Sequence, residues 1–410
     1  MGDPTPARPA MPWVVIAAAA TLVAVTTGIR QSLGLFVRPF AATGLSIATV
    51  SLALAIGQLL WGASQPFFGI LAGRIGTSRV IVLGGLLLAA GLALAPALTG
   101  AGGLFATIGV LSAVGAGAAS FAILIGSVAR QVPAERQAFA SGVVSSGASL
   151  GQFVFAPLSQ AVIAVAGWAA ALWTLAGAAL LTTLLARPAT GPVPPAAVGG
   201  ARELRQPVSE LLRLAFAERS YWYLHAGFFA CGFHVAFLVT HLPNEIALCG
   251  LAPSAAGIAL GVIGLVNVCG SIAIGWLGSR FRMKMLLVAL YATRVVAIAC
   301  YLAAPKTLLT LNVFAAVLGA TWLGTVPATA ALVSKLFGPR HLATLFGFTF
   351  LTHQVGAFFG AWLGGVVLAR TGSYQWVWVL DMLLAALAAV VSLPIREARW
   401  PVRMKLPAAA

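Results

Sequence analysis

The chain has 410 residues, of which 60% are hydrophobic and only 8% charged, and its mean hydropathy is +1.00. Soluble domains carry about 25% charged residues, so this composition excludes a soluble protein and indicates a surface that faces lipid. The formal net charge of +16 is spread over many short segments. Because no basic stripe with interleaved aromatic residues occurs, we expect no nucleic-acid partner.

Hydrophobic stretches of about 20 residues recur along the chain, and each is long enough to cross a hydrocarbon core of about 30 Å as a helix. They lack the alternation of apolar and polar residues that a membrane barrel requires. We therefore predict an all-α membrane protein with twelve transmembrane helices. The predicted spans are 12–38, 46–72, 80–98, 103–129, 137–165, 167–186, 220–247, 254–279, 284–304, 307–335, 341–369 and 374–394.

The second half of the sequence repeats landmarks of the first half about 205 residues later. Such repeated hydrophobic halves are typical of secondary transporters, in which one half moves against the other around a central site. We predict two pseudo-symmetric six-helix halves, 1–186 and 220–410, joined by a cytoplasmic linker at 187–219. The matched landmarks are Gly28 with Gly232, Pro39 with Pro243, Gly151 with Gly356, Gly167 with Gly372, and Trp173 with Trp378.

The distribution of basic residues predicts the orientation in the membrane. With twelve spans both termini lie on one side, and 19 of the 24 Lys and Arg residues fall in segments on that side. Only three fall on the opposite side. Because cytoplasmic segments are enriched in Lys and Arg, we expect both termini to be cytoplasmic.

Arg30 is the first charge that the membrane must tolerate, since it lies within the first span. A charge at mid-bilayer costs about 2.5–3.5 kcal/mol on insertion scales, so it needs a partner or a cavity. No acidic residue occurs in the first six spans. We interpret Arg30 as a substrate-binding residue for a carboxylate, which a guanidinium holds through two parallel hydrogen bonds. The alternative is a structural role, with the charge satisfied by backbone carbonyls near Pro39 and water.

Span 7 carries a stripe of titratable residues, because His234, His241 and Glu245 fall within about 20° on one helical face. His titrates near neutral pH, so the stripe is a candidate proton pathway. His234 also holds the repeat position that corresponds to Arg30. The alternative is a neutral histidine bonded to a neighbouring helix.

Arg294 and Asp381 are the remaining mid-span charges, in spans 9 and 12. Their depths, counted at 1.5 Å per residue, allow the two side chains to meet. We expect a structural ion pair between them, with Asp381 as a proton acceptor the second possibility.

Uncharged polar and aromatic residues complete the candidate site. Gln58 in span 2 and Gln152 in span 5 are larger than close helix packing needs, which favours a role in lining the route. Trp322 in span 10 and His353 in span 11 supply an aromatic wall with few polar groups. The predicted substrate-binding set is Arg30, Gln58, Gln152, His234, Trp322 and His353.

Three motifs resemble those of a known family, and the resemblance extends over essentially the whole chain. The segment from Gly69 to Gly76 after span 2 is similar to the most widespread motif of the major facilitator superfamily. Arg30, Ser32 and Phe36 in span 1, with the Gly142–Gly151 segment of span 5, resemble its monocarboxylate-porter branch, including the bacterial members. The resemblance implies a twelve-helix transporter of a bacterial inner membrane that moves small monocarboxylates, with protons as the coupling ion.

Catalytic and cofactor motifs are not found: the chain has no HExxH, no phosphate loop and no nucleophile elbow. The four cysteines lack metal-binding spacing. We therefore predict a transporter and not an enzyme, with no cofactor or metal. The expected cargo is a small organic anion, with proton symport. The alternatives are export of amphiphilic or drug-like compounds by the same fold, and a non-transporting receptor or scaffold.

Overall fold

The computed structural model describes residues 12–119, 121–129, 131–132, 134–191, 208–278, 280–338 and 342–397. Within these residues the chain is helical, without strands. The helices that form spans are α1 Trp13–Ala41, α2 Ile47–Ile75, α3 Thr77–Leu94, α4 Ala101–Gly117 continued by Phe121–Ala129, α5 and α6 within Ala134–Thr190, α7 Arg219–Leu248, α8 Pro253–Leu277, α9 Met283–Ala303, α10 Leu308–Phe337, α11 Leu342–Thr371 and α12 Gln375–Ser392.

The prediction of twelve spans is confirmed by these helices. The helical backbone of α5 and α6 is nearly continuous over Ala134–Thr190, but Gly167 has φ 84° and separates 134–166 from 168–190. Its repeat partner Gly372 has φ 69° at the turn between α11 and α12. A positive φ favours glycine, because it has no Cβ to clash with the backbone. The same residue type therefore makes the same turn in both halves.

Regular helix is interrupted in three spans. Leu33–Phe36 of α1 is a 3₁₀ turn, Phe105–Ser112 of α4 is a π-helical stretch, and α10 breaks between Thr321 and Thr325. In lipid such breaks are tolerated only where the freed backbone groups find protein partners or line a cavity. The breaks in α1 and α10 lie beside the polar groups described below.

The two halves are built on the same helix crossing. A Cβ on Gly151 of α5 would lie 2.0 Å from the carbonyl oxygen of Ala24 in α1. A Cβ on Gly356 of α11 would lie 2.1 Å from that of Phe229 in α7. Both pairs differ by 205 positions, so the repeat in the sequence corresponds to a repeated contact. Small residues at these positions allow the backbones to approach closely, as is typical of membrane helices.

The halves meet at the membrane face opposite the termini, which we call the distal face. There a Cβ added to Gly365 of α11 would lie 2.3 Å from Cβ of Ser51 in α2. A Cβ added to Gly34 of α1 would lie 1.8 Å from the carbonyl oxygen of Val239 in α7. Gly257 of α8 similarly packs on Gln160 of α5. The distal face is therefore closed.

The halves separate toward the face that carries the termini, which we call the terminal face. Gln354 of α11 packs on Gly62 of α2, but a Cβ on Gly347, two turns nearer the terminal face, would have no neighbour within 4 Å. A Cβ on Gly142 of α5 would likewise have none, although Ser149 two turns away packs on α8. Residues seven apart share a helical face, so among the described residues each contact ends before the terminal face. The described residues therefore leave the two halves apart at the terminal face.

The predicted linker lies partly outside the described residues. Helix α6 continues to Thr190, beyond the predicted boundary at 186, and residues 192–207 are not described. A short amphipathic helix, Val208–Ala217, then packs Leu211 and Ala215 against the terminal end of α7. The domain boundaries at 187 and 219 remain predictions.

Candidate functional site

A pocket lies between α1, α2, α4 and α7, where the two halves meet. It encloses about 340 Å³ including its mouth. Its wall combines apolar residues with four polar side chains, those of Arg30, Gln58, Ser112 and Thr240. An apolar wall with a few convergent polar groups is typical of a small-molecule site. The remaining lining residues are Leu33, Gly34, Leu54, Gly57, Ile108, Ala113 and Val239.

Arg30 reaches this pocket from the last regular turns of α1. It lies 11 residues before the distal end of the helix, or about 16 Å at 1.5 Å per residue, which is near the middle of the membrane. The 3₁₀ turn that follows begins at Leu33 and ends at Phe36. Gly34 lies within that turn, where its contact with Val239 brings α7 against the pocket.

Two residues of α2 hold the guanidinium of Arg30. Its Nη2 donates a hydrogen bond to Oε1 of Gln58. Its Cζ lies 4.1 Å from the ring centroid of Trp61, a cation–π contact. Gln58 and Trp61 are three residues apart and so share a helical face. Within the described part of the chain, no carboxylate lies within salt-bridge distance of Arg30.

Asp381 pairs with His234, and this corrects the predicted Arg294–Asp381 ion pair. Nδ1 of His234 donates to Oδ2 of Asp381 at 2.6 Å, and both side chains are at most 2% exposed. The prediction rested on depth alone, which cannot tell which neighbour of α12 faces the carboxylate. Helix α7 presents His234 to α12, so the histidine becomes the partner.

Arg294 instead caps the break in α10. Its Nη2 donates to the carbonyl oxygens of Thr321 and Trp322 at 2.6 and 2.7 Å, and Nη1 lies 3.4 Å from Sγ of Cys231. The carbonyls at a helix C-terminus lack intrahelical partners and carry partial negative charge. The guanidinium therefore satisfies the freed backbone of α10 without a carboxylate.

His241 and Glu245 do not continue a hydrogen-bonded chain from His234. Nε2 of His241 donates to the carbonyl oxygen of Ala361 at 2.7 Å, while its Nδ1 lies 3.1 Å from the hydroxyl of Tyr374. That hydroxyl accepts a hydrogen bond from Nδ2 of Asn244 at 2.9 Å, and its own proton points to Nδ1 of His241. His241 is thus a neutral histidine with both ring nitrogens satisfied. Glu245 is half-buried near the distal end of α7, where it interacts electrostatically with Lys306.

The other predicted binding residues lie away from the pocket around Arg30. Gln152 is fully buried in α5, and neither of its amide atoms has a partner within the described structure. Trp322 is buried in the α10 break, 5.9 Å from the ring of His234. His353 stacks on Phe350 at 5.4 Å. Of the six predicted residues, the structure brings Arg30 and Gln58 together in this pocket.

Sequence reasoning missed two residues of the pocket, Ser112 and Thr240, because a single hydroxyl in a span gives no distinguishing pattern. The spacing of Trp61 from Gln58 predicts that both lie on one face of α2, and both contact Arg30 in the structure. Asn267 of α8 also has a role: it accepts from the backbone N–H of Leu323 at 3.0 Å and donates to Oγ of Ser149 at 2.6 Å. It thereby links the α10 break to the other half.

Comparison with known proteins places the chain in a family. The model of the Major Facilitator Superfamily matches residues 10–304 and 249–402. The chain is 28% identical over 395 residues to monocarboxylate transporter 13 of Rattus norvegicus, and 24% identical over 395 residues to the oxalate:formate antiporter of Oxalobacter formigenes. Each alignment covers 93% of this chain and 89% of the relative.

Solved structures share the fold. The crystal structure of a D-xylose-proton symporter superposes with a TM-score of 0.76 at 14% identity, covering 95% of this chain and 99% of the symporter. The similarity extends through both halves, in agreement with the twelve helices found here. The relatives and this fold are those of transporters and not of enzymes. The chain therefore belongs to the major facilitator superfamily.

Proposed function

We propose that the protein carries a small organic anion across the membrane by alternating access, with Arg30 holding the carboxylate. The observation that carries this proposal is a guanidinium in a pocket at the contact of the two halves, without a carboxylate partner among the described residues. Gln58 and Trp61 hold the group in place but leave its charge uncompensated. An anion that enters supplies the missing charge and accepts two parallel hydrogen bonds.

The pocket favours a monocarboxylate over a dicarboxylate. Arg30 is the only charged residue among the described residues that line it, so a second carboxylate there would be buried without a partner. The apolar wall suits a short hydrocarbon body, and Ser112 and Thr240 offer hydroxyl groups. The names of the relatives, a monocarboxylate transporter and an oxalate:formate antiporter, support an anionic substrate.

The setting of this activity is the inner membrane of a bacterium, with cytoplasmic termini. The excess of Lys and Arg on the terminal face supports that orientation. The structure is then the state open to the cytoplasm. Proton symport is part of the proposal, since a proton that moves with the anion offsets its charge against the membrane potential.

Export of drug-like compounds is the second candidate. The guanidinium of Arg30 among the described residues that line the pocket favours an anion over an uncharged amphiphilic compound.

Exchange of radiolabelled lactate, pyruvate and glycolate in proteoliposomes tests the proposal. Arg30→Gln is expected to weaken the apparent affinity about 10- to 100-fold, because a hydrogen bond to a charged group contributes about 1.5–3 kcal/mol. Arg30→Lys keeps the positive charge but lacks the planar guanidinium, so its apparent affinity is expected to lie between those of wild type and Arg30→Gln. Arg38→Gln is the matched control, since Arg38 is exposed near the distal end of the same helix. Equal affinities for Arg30→Gln and wild type would contradict the proposal.

A further inference from the structure

We propose that His234 and Asp381 form a proton-binding site in the C-terminal half that is separate from the anion pocket. This inference rests on the proposed anion transport and names where the coupling proton binds. The two side chains are hydrogen-bonded at 2.6 Å and neither lines the pocket around Arg30. Within the described residues, the pair combines the histidine and the carboxylate that lie deepest in the C-terminal half.

The pair is incompletely satisfied, in contrast to the two bonded ring nitrogens of His241. Nε2 of His234 and Oδ1 of Asp381 are buried and have no hydrogen-bond partner among the described residues. Nε1 of Trp322, whose ring lies 5.9 Å from that of His234, also has none. Buried polar atoms are rarely left without partners, and where they are, a functional role is one recognised reason.

His241 provides the contrast within the same helix. Both of its ring nitrogens are hydrogen-bonded, so adding a proton would require one of these bonds to reverse. Without the transported proton, the His234–Asp381 pair is a neutral imidazole beside a carboxylate and has a net charge of −1. When the proton binds, the imidazole becomes an imidazolium and the net charge of the pair is zero. The free Nε2 accepts or releases this proton without breaking the bond to Asp381.

The other ionisable groups around the pair already have partners. Helix α9 contributes Arg294, bound to the α10 carbonyls, and Tyr291, whose hydroxyl donates to the carbonyl oxygen of Gly227 at 2.7 Å. Helix α7 contributes Cys231, which lies 3.1 Å from Oγ1 of Thr325, and the neutral His241. Helix α11 contributes His353, stacked on a phenylalanine ring. None of them pairs with Asp381 within the described structure.

The location of the pair connects it to a moving part. Trp322, which contacts His234, forms part of the α10 break, and the next residue, Leu323, binds Asn267. Asn267 in turn donates to Ser149 of the N-terminal half. A change of charge at the pair thus lies three contacts from the interface between the halves.

The test compares two assays on the same proteoliposomes, using the best-exchanged acid among lactate, pyruvate and glycolate. With one proton per anion, a pH gradient of one unit should concentrate the acid up to about tenfold in wild type, and this accumulation should be lost in Asp381→Asn and His234→Asn. Exchange at equal pH should stay within about threefold of wild type, because no net proton movement is required. His241→Gln is the matched control and should still accumulate the acid.

The outcomes separate this inference from the proposed function. Full accumulation by folded Asp381→Asn would overturn the proton site, even with anion exchange intact. Absence of exchange in wild type would instead overturn the anion proposal. Thermal unfolding curves establish which variants fold. If the Asn variants do not fold, Asp381→Glu is measured instead, because it keeps a titratable carboxyl. It should shift the pH of half-maximal uptake, and an unshifted pH profile would overturn the proton site.

Discussion

Individual ionisable groups within the spans are held in this protein by two different means. Arg294 is bound by two backbone carbonyls, and His241 by a carbonyl and a phenol. Arg30 is held by an amide and an aromatic ring, and Asp381 keeps one oxygen without a partner among the described residues. The first group is bound by groups of the fold, although Nε of Arg294 has no hydrogen-bond partner among the described residues. The second group retains capacity for a ligand or a proton.

Arg294→Met is expected to destabilise the protein without changing substrate preference. It leaves the carbonyls of Thr321 and Trp322 buried without donors, at a cost of about 1–3 kcal/mol for each unsatisfied group. Arg294→Lys retains a cationic donor and should lose less. The measurement is thermal unfolding of the purified variants in detergent, with Thr293→Ala on the exposed side of α9 as control. An Arg294→Met variant as stable as that control would contradict the capping role.

The residue types at these positions could be predicted from the sequence, but their pairing could not. Arg30, His234, Arg294 and Asp381 stand out because charged or titratable residues are rare in spans. Depth was the only coordinate available for Arg294 and Asp381, and it does not give the direction of a side chain around its helix. The satisfied state of His241 depends on Ala361 and Tyr374, more than 100 positions away.

At the scale of elements, the helices followed from composition while the breaks did not. Long apolar runs predicted the twelve spans. Gly167 and Gly372 were matched as landmarks of the repeat, and the structure shows a positive φ at both. The α10 break carries a local signal that the prediction of spans did not use, because Pro327 lacks the N–H that would bond the carbonyl oxygen of Leu323 in a continuous helix. The partners of the break, Arg294 and Asn267, come from neighbouring helices and are invisible in a single sequence.

At the scale of the whole molecule, one contact surface closes the distal face and none closes the terminal face within the described residues. Ser51 and Gly365 pack against each other on the distal side, while a Cβ added to Gly347, also in α11, would have no neighbour within 4 Å. Alternating access requires the distal contacts to open when the terminal face closes. The close glycine packing between halves therefore describes one state of a cycle.

A cross-link between Ser51→Cys and Gly365→Cys is expected to stop transport. The two Cβ positions lie 2.3 Å apart, so a small separation of the helices brings them to the spacing of a disulfide, about 3.8 Å. Cys249, Cys269 and Cys300 are replaced by Ala beforehand. Oxidation should abolish anion exchange in proteoliposomes and a reductant should restore it. Each single cysteine variant serves as control, and full exchange by the cross-linked protein would show that the distal face need not open.

The most direct test of the central claim is a binding comparison between an anion and its neutral analogue. The affinities of lactate and of lactamide, which replaces the carboxylate by an amide, are measured by titration calorimetry for wild type and Arg30→Gln. We predict that wild type prefers the carboxylate by about 10- to 100-fold, and that Arg30→Gln loses this preference because the charge partner is gone. An undiminished preference for the carboxylate in Arg30→Gln would show that the anion is held elsewhere.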